Sequence, residues 1–221
     1  MQPGRLIDLK TWKRRAHYEL FRTYEQPFFS VTVEVDVTRV WNACRKPAGP
    51  PFFLTSLFLM LNAVNETEAF RLRLRKRGVR LHDRVAVGPT IPRDDGTFGF
   101  VRLAPGRRLE EFIQAGRAAI ANEAARSTLT PMKRTDDIVF HSVLPWFRFT
   151  SFTNALPGND SIPRIVFGKC SRDGRRVKMP VAVQVHHALA DGIHVAQFIE
   201  RFSNALQEGS GRNRPARERK Q

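Results

Sequence analysis

One strand that passes almost directly into a helix constrains this chain more than any other segment. Val181, Val183 and Val185 alternate with Ala182 and Gln184, which is the pattern of a strand whose side chains point to opposite faces. Apolar residues then recur at helical spacing, at Val195, Phe198, Ile199, Phe202 and Leu206. The junction between the two patterns contains His186, His187, Asp191 and Gly192. Such connections often carry functional side chains.

The two adjacent histidines of the junction favour acid–base chemistry over metal binding. His186 and His187 should point to opposite sides of the strand, which argues against chelation of one ion. A neutral imidazole is the usual general base near pH 7. Asp191 could order the turn or accept from a cation. The alternative interpretation is a buried, hydrogen-bonded histidine beside a turn aspartate, and the residues of the junction alone do not exclude it.

A longer pattern decides between these interpretations. Gln184–His194 reads Gln-x-His-His-x-x-x-Asp-Gly-x-His, which resembles the signature of the chloramphenicol acetyltransferase family. The shorter His-x-x-x-Asp-Gly also occurs in dihydrolipoamide acyltransferases and plant acyltransferases. Other segments resemble the family in the same order along the chain, namely Trp12–Tyr18, Ser142–Trp146, Phe149–Phe152 and Phe167–Lys169. The resemblance runs from about Ile7 to Gln207 and so covers nearly the whole chain.

The resemblance implies a fold and an assembly. The fold class is α/β (α+β), a two-layer sandwich with a mixed sheet, as in CoA-dependent acyltransferases. The family also implies a homotrimer in which each active site lies at a subunit interface. We expect a single acetyltransferase domain over residues 1–208 and a basic, disordered tail over residues 209–221, where glycine, proline and charged residues prevail.

The resemblance also implies the chemistry. The cofactor would be acetyl-CoA, used as a co-substrate, and the acceptor would be chloramphenicol or a similar alcohol. His187 would take the proton of the acceptor hydroxyl. Ser142 would donate a hydrogen bond to the oxyanion of the tetrahedral intermediate. Asp191 and Arg14 would form an ion pair that holds the histidine turn, and no metal would be required.

Pocket residues follow from the same comparison. The predicted substrate-binding side chains are Phe21, Phe29, Thr90, Phe98 and Val166. Phe21 and Val166 stand where family members carry tyrosine and threonine hydroxyls, and Ile193 stands where phenylalanine or tyrosine is usual. These departures leave the catalytic set intact but remove hydroxyls that would contact the acceptor.

Three alternatives remain open. The first is an acetyltransferase of the same fold with another alcohol acceptor. The second is a dihydrolipoamide acyltransferase core, which is disfavoured because no lipoyl domain or Ala/Pro linker precedes the domain. The third is a basic nucleic-acid-binding protein, suggested by the formal net charge of +16. We expect no specific nucleic-acid partner, because the charge is scattered and no zinc-finger or RNA-recognition motif accompanies it.

Composition places the chain in a reducing compartment. Cys44 and Cys170 have no CxxC spacing and suggest neither zinc nor a disulfide framework. The N-terminus lacks an apolar signal core, and no run of 18 apolar residues could span a membrane. We therefore expect a cytoplasmic protein with no membrane partner.

Two local predictions bear on the site. Lys10–Arg22 has the pattern of a helix with Trp12, Ala16 and Leu20 on one face. The segment 71–82 resembles a hairpin with an arginine-rich face, which we interpret as a solvent-exposed sheet surface. Binding of phosphates from an anionic cofactor is the alternative for that face.

Overall fold

A computed structural model describes residues 4–126, 128–129, 135–157 and 160–209. Helices and strands alternate along these residues. The helices are α1 Arg15–Phe21, α2 Thr38–Cys44, α3 Phe52–Glu66, α4 Glu68–Arg71, α5 Leu109–Ala124 and α6 Gly192–Glu208. The strands are β1 Arg5–Leu6, β2 Phe28–Asp36, β3 Leu72–Arg75, β4 Gly78–Leu81, β5 Ala86–Pro92, β6 Phe98–Phe100, β7 Ile138–Leu144, β8 Arg164–Gly168, β9 Ser171–Asp173 and β10 Arg176–His186.

The large sheet has the order β2-β10-β8-β7-β5-β6, and β9 pairs with β10. The pairs β5–β7 and β7–β8 are parallel, whereas β10 pairs antiparallel with β2 and β8. A second, antiparallel sheet has the order β1-β4-β3. The predicted fold class, an α+β sandwich with a mixed sheet, is confirmed.

The main core lies between one face of the large sheet and the helices. α3 follows Pro50 and Pro51 and is apolar around its whole circumference, so it is buried along its length. α6 is amphipathic and packs Phe198 and Phe202, both 0% exposed, against α3 and the sheet. Burying each such side chain contributes about 1.5–3 kcal/mol. α6 ends at Gly209, whose φ of 64° is the left-handed conformation common at helix C-termini.

The first helix is shorter than predicted. It begins at Arg15 rather than Lys10, because Asp8 instead organises a turn by accepting from the backbone N–H of Lys10 at 3.0 Å. The predicted apolar face is also wrong, since Leu20 is 53% exposed and Tyr18 is the buried residue of this helix.

The basic hairpin β3–β4 is present, but its arginine-rich face is not simply exposed. The side chain of Arg73 is 0% exposed. Its guanidinium donates to four backbone carbonyls, those of Phe70, Leu72, Asp136 and Ile138. Five N–H donors let one arginine satisfy carbonyls from α4, from β3 and from the start of β7. The interpretation of this face as solvated is therefore wrong for Arg73.

Candidate active site

Strand β10 delivers the histidine pair to the edge of the large sheet. His186 pairs with Phe28 as the last ladder position between β10 and β2. The backbone N–H of His187 then donates to the carbonyl of Pro27 at 2.8 Å. A tight turn follows, in which the N–H groups of Leu189 and Ala190 donate to the carbonyl of His186 at 2.9 and 3.1 Å. The strand therefore stops at a defined residue, and His187 is fixed by backbone hydrogen bonds on both sides.

Two aromatic rings hold the imidazole of His187. Phe21, at the end of α1, stacks on it with a centroid distance of 3.9 Å and an interplanar angle of 6°. Phe29 of β2 contacts it at 4.8 Å. The Nδ1 atom is buried and has no hydrogen-bond partner among the described residues. Nε2 is consequently the ring nitrogen that a substrate can reach.

An ion pair between Arg14 and Asp191 stabilises the turn that follows His187. The guanidinium of Arg14 contacts the carboxylate of Asp191, and their side chains are only 14% and 29% exposed. The second amino group of Arg14 donates to the carbonyl oxygen of His187 at 3.2 Å. Burial acts to raise the pKa of Asp191, but Arg14 and then His194 outweigh it and the pKa falls below its ordinary value. Asp191 therefore stays ionised and joins α1 to the N-terminus of α6 at the histidine turn.

His186 lies on the other side of the strand. Its ring meets Phe28 edge-on at 5.1 Å and lines a cavity of about 990 Å³ that also contains Gln184 and Asp160. Burial, together with the electrostatic interaction with His187, lowers the pKa of His186 to about 4, although Asp160 opposes the shift. The two histidines therefore have different surroundings.

Ser142 belongs to a separate pocket. The Oγ1 of Thr90 lies 3.4 Å from the Oγ of Ser142, and the two residues stand on the neighbouring parallel strands β5 and β7. They line a cavity of about 290 Å³ together with Phe100, Phe140 and Arg164. A serine hydroxyl at the wall of a small, mostly apolar cavity can donate to one developing negative charge.

The remaining predicted pocket residues lie near Ser142. Val166 is the register partner of Ser142 on β8 and is 1% exposed. Phe98 is 51% exposed and meets Phe100, which lines the cavity, edge-on at 5.5 Å. Thr90 and Val166 thus neighbour Ser142, and Phe98 adjoins Phe100 of the same cavity. Phe21 and Phe29 are grouped around His187.

A single chain does not bring the two groups together. Ser142 pairs with Val166, and Val166 pairs with Ala182 on β10. Ser142 therefore lies two strand spacings from Ala182, or about 10 Å, and His187 lies five residues further along, or about 17 Å. The backbones of Ser142 and His187 are separated by roughly 19 Å on this geometry. Each chain therefore holds two separate residue groups, which we name the His187 half-site (with Phe21 and Phe29) and the Ser142 half-site (with Thr90 and Val166).

Some residues of the Ser142 cavity were not predicted. Arg164 forms an ion pair with Asp160, with both side chains less than 10% exposed, and its guanidinium lies 5.3 Å from the ring of Phe140. Asn154 donates to the amide oxygen of Gln184 at 2.9 Å and borders both cavities. A lone arginine inside an apolar strand was a usable signal for Arg164. Asn154 lies in a loop whose sequence gives no such signal.

Within residues 4–126, 128–129, 135–157 and 160–209, no group of three or more His, Cys, Asp or Glu side chains is placed to hold a metal ion. None of the helices in that part of the chain has the length and apolarity needed to cross a membrane.

Comparison with known proteins identifies the family. The profile of the family described as chloramphenicol acetyltransferase matches residues 4–204. This chain belongs to the chloramphenicol acetyltransferase family. It is 32% identical over 197 residues to chloramphenicol acetyltransferase 2 of Escherichia coli, covering 87% of this chain and 92% of that protein. It is 29% identical over 207 residues to the chloramphenicol acetyltransferase of Proteus mirabilis, covering 92% and 95%.

Solved structures agree with this assignment. A chloramphenicol acetyltransferase structure superposes with a TM-score of 0.83 at 26% identity, covering 92% of this chain and 99% of that one. A probable dihydrolipoamide acetyltransferase from Listeria monocytogenes superposes with a TM-score of 0.66 at 11% identity, covering 96% and 97%, which shows a shared fold alone. The family membership confirms the predicted enzyme class, an acyltransferase of the chloramphenicol acetyltransferase type.

Proposed function

We propose that this protein transfers the acetyl group of acetyl-CoA to the hydroxyl of chloramphenicol or a similar alcohol. The observation that carries the proposal is the His187 half-site, in which one ring nitrogen remains accessible between two aromatic rings and the main chain is held by Arg14 and Asp191. Antibiotic resistance would be the biological consequence. Acetyl-CoA as the acyl donor, and chloramphenicol as the acceptor, are the specific parts of the proposal.

The reaction is a direct transfer without an acyl-enzyme. Nε2 of His187 removes the proton from the acceptor hydroxyl as the oxygen attacks the thioester carbonyl. Ser142 donates to the oxyanion, whose charge appears only on the way to the tetrahedral intermediate. Collapse of the intermediate breaks the carbon–sulfur bond, and the histidine proton neutralises the departing CoA thiolate. The ion pair of Arg14 and Asp191 orients the turn without contacting substrate.

The active site is proposed to form between two copies of the chain. The half-sites of His187 and Ser142 are roughly 19 Å apart along one sheet, which is too far for one acetyl group to contact both. A homotrimer in which His187 of one copy faces Ser142 of the next resolves this separation. Phe21 and Phe29 would then border the acceptor on one side, and Thr90, Phe98 and Val166 on the other.

An alternative acceptor is supported by the pocket. Phe21 and Val166 carry no hydroxyl, so the walls are apolar and suit the aromatic body of chloramphenicol more than its polar groups. Another alcohol with an aromatic body would fit the same walls. We expect measurable chloramphenicol acetylation, with Val166→Thr neutral or improved.

The test is CoA release from acetyl-CoA with and without chloramphenicol. His187→Ala is the blank, and we expect it to lose about 10²–10⁴-fold in kcat because proton removal by the base is lost. Wild-type release that equals the blank would contradict the chloramphenicol assignment. Turnover of another alcohol in the same assay would then support acetyl transfer by the same mechanism to a different acceptor.

A further inference from the structure

We infer that His186 is a positioning residue that fixes the turn carrying the base, an inference that rests on the proposed role of His187. The backbone N–H of Ala188 donates to the Nδ1 of His186 at 3.2 Å. Ala188 is 0% exposed, so its N–H is shielded from water and depends on the ring of His186 for its hydrogen bond. The side chain of one histidine thus secures the residue that immediately follows its neighbour.

His186 supplies acceptors to three consecutive N–H groups of the turn. Its ring accepts from the N–H of Ala188, and its carbonyl oxygen accepts from the N–H groups of Leu189 and Ala190 at 2.9 and 3.1 Å. His187 lies between the strand and these three bonds. Its position is therefore determined by His186 on the sheet side and by the carbonyl contact of Arg14 on the other.

The ring of His186 is suited to act as an acceptor. Because Nδ1 accepts, the proton of the neutral ring is on Nε2. The ring is 4% exposed and is packed edge-on against Phe28, and the low pKa produced by this burial keeps it neutral at physiological pH. A protonated ring would carry a hydrogen on Nδ1 and could not accept from Ala188.

His186 is not placed to be the base itself. Its side chain faces the cavity of Gln184 and Asp160 rather than Phe21 and Phe29. Its Nδ1 is already occupied by a backbone donor. A shift of the turn, in contrast, would move His187 relative to its aromatic supports, and misplacement of a reacting group by about 1 Å can cost about 10²-fold in rate.

A matched pair of substitutions isolates the hydrogen bond. Asn and Leu have the same branching and the same number of side-chain atoms, and both remove the ring contact with Phe28. Only Asn retains an oxygen near the Nδ1 position, and asparagine commonly accepts from the backbone N–H two residues later. We expect His186→Leu to lower kcat about 10- to 100-fold relative to His186→Asn, with KM changed much less.

Two further measurements separate positioning from other roles. Hydrogen–deuterium exchange at the Ala188 amide should be slow in wild type and His186→Asn and fast in His186→Leu. The acid limb of the pH dependence of kcat/KM should be the same in wild type and His186→Asn, because His186 is not the titrating base. Thermal melts establish that both variants fold.

The outcomes are distinct. Equal kcat in the Asn and Leu variants, or equal exchange at Ala188, would overturn the positioning role. Loss of the acid limb in His186→Asn would make His186 the base and would also overturn it. If wild type transfers no acetyl group but the exchange pattern holds, the proposed function fails while the hydrogen bond of His186 stands.

Discussion

At the scale of single residues, two histidines of the large sheet have opposite surroundings. His187 has an accessible nitrogen between aromatic faces. His141 precedes Ser142 but faces the core, 1% exposed, against Phe53 and Phe167. Both of its ring nitrogens are buried and have no hydrogen-bond partner in the described part of the chain. Burial alone lowers the pKa of His141 to about 3.

The buried His141 should make the fold sensitive to acid. Its folded pKa lies below the unfolded value near 6.5, so the unfolded state binds the proton more tightly. Stability is fully present above pH 6.5 and falls as pH decreases toward 3. We compare the free energy of unfolding of His141→Leu with that of wild type at each pH. We expect this difference to favour the variant by about 1–3 kcal/mol more at pH 4.5 than at pH 7.5. Urea melts at the two pH values measure this, with the exposed His17→Gln as control. A gain that does not depend on pH would contradict the assignment.

At the scale of elements, two ion pairs connect helices to the half-sites. Arg14 precedes α1 and Asp191 precedes α6, so their contact joins the N-termini of two helices beneath His187. A carboxylate at a helix N-terminus is favourable, whereas an arginine there is not. Asp191 also caps α6 through a capping box with His194, so its carboxylate stabilises that helix, whereas Arg14 contributes through Asp191 and the bond to the His187 carbonyl.

Removal of either partner should be detectable in stability. Asp191→Asn leaves a mostly buried guanidinium without its counter-charge. We expect a coupling energy of roughly 1–3 kcal/mol between Asp191→Asn and Arg14→Ala in a double-mutant cycle, measured by thermal melts, and a parallel loss of kcat. Strictly additive losses would show that the two residues do not interact in solution.

The second pair supports the Ser142 half-site. Arg93 follows β5 and contacts Glu123 of α5 at 2.5 Å, with both side chains below 5% exposed. Gly99 of β6 lies so close that a Cβ there would be 1.8 Å from the Oε1 of Glu123. The pair therefore holds the β5–β6 hairpin, which bears Thr90 and Phe100, against α5.

Burial should distinguish Glu123 from other acidic residues of α5. We expect Glu123→Gln to cost about 3–5 kcal/mol, because it leaves a buried arginine charge uncompensated. Glu111→Gln on the same helix is the matched control, since that side chain is 63% exposed and 3.9 Å from Arg108. The free energy of unfolding of Glu111→Gln should stay within about 0.5 kcal/mol of the wild-type value. Chemical denaturation compares the two, and equal effects would refute a stabilising buried pair.

The spacing of apolar residues predicted the elements whose buried side chains recur at one regular interval. β10 alternates and α6 repeats every three to four residues, and both lie as expected. The predicted start of α1 was wrong because the Asp8 turn competes with the helix. Its predicted apolar face was wrong because an aromatic residue, Tyr18, occupies the buried position. The prediction for Arg73 failed because two of its four carbonyl partners, those of Asp136 and Ile138, lie 63 and 65 residues further along the chain. Such distant partners leave no local trace in sequence.

At the scale of the whole molecule, the proposed active site requires a partner copy. The predicted tail, residues 209–221, lies outside the described residues apart from Gly209, and the predicted single domain over residues 1–208 stays a prediction. We expect a particle of about 75 kDa, three times 25.3 kDa, by light scattering. An active monomer would refute the interface site.

Complementation tests the interface more directly. His187→Ala and Ser142→Ala chains should each be nearly inactive alone. In trimers refolded from an equal mixture, about a quarter of the interfaces would pair an intact His187 with an intact Ser142. We expect activity near that fraction of the wild-type value. A mixture no more active than its components would show that both residues act within one chain.

The placement of Ser142 and His187 at distant points of one sheet has a genetic consequence. In the proposed trimer, each chain would supply the base to one site and the oxyanion donor to another. A chain defective in both residues would therefore disable two of the three sites in its trimer while occupying only one position. A cell that carries an intact gene copy and a copy defective in both residues, whose product still assembles, should lose more than half of its activity, so such alleles should be partly dominant.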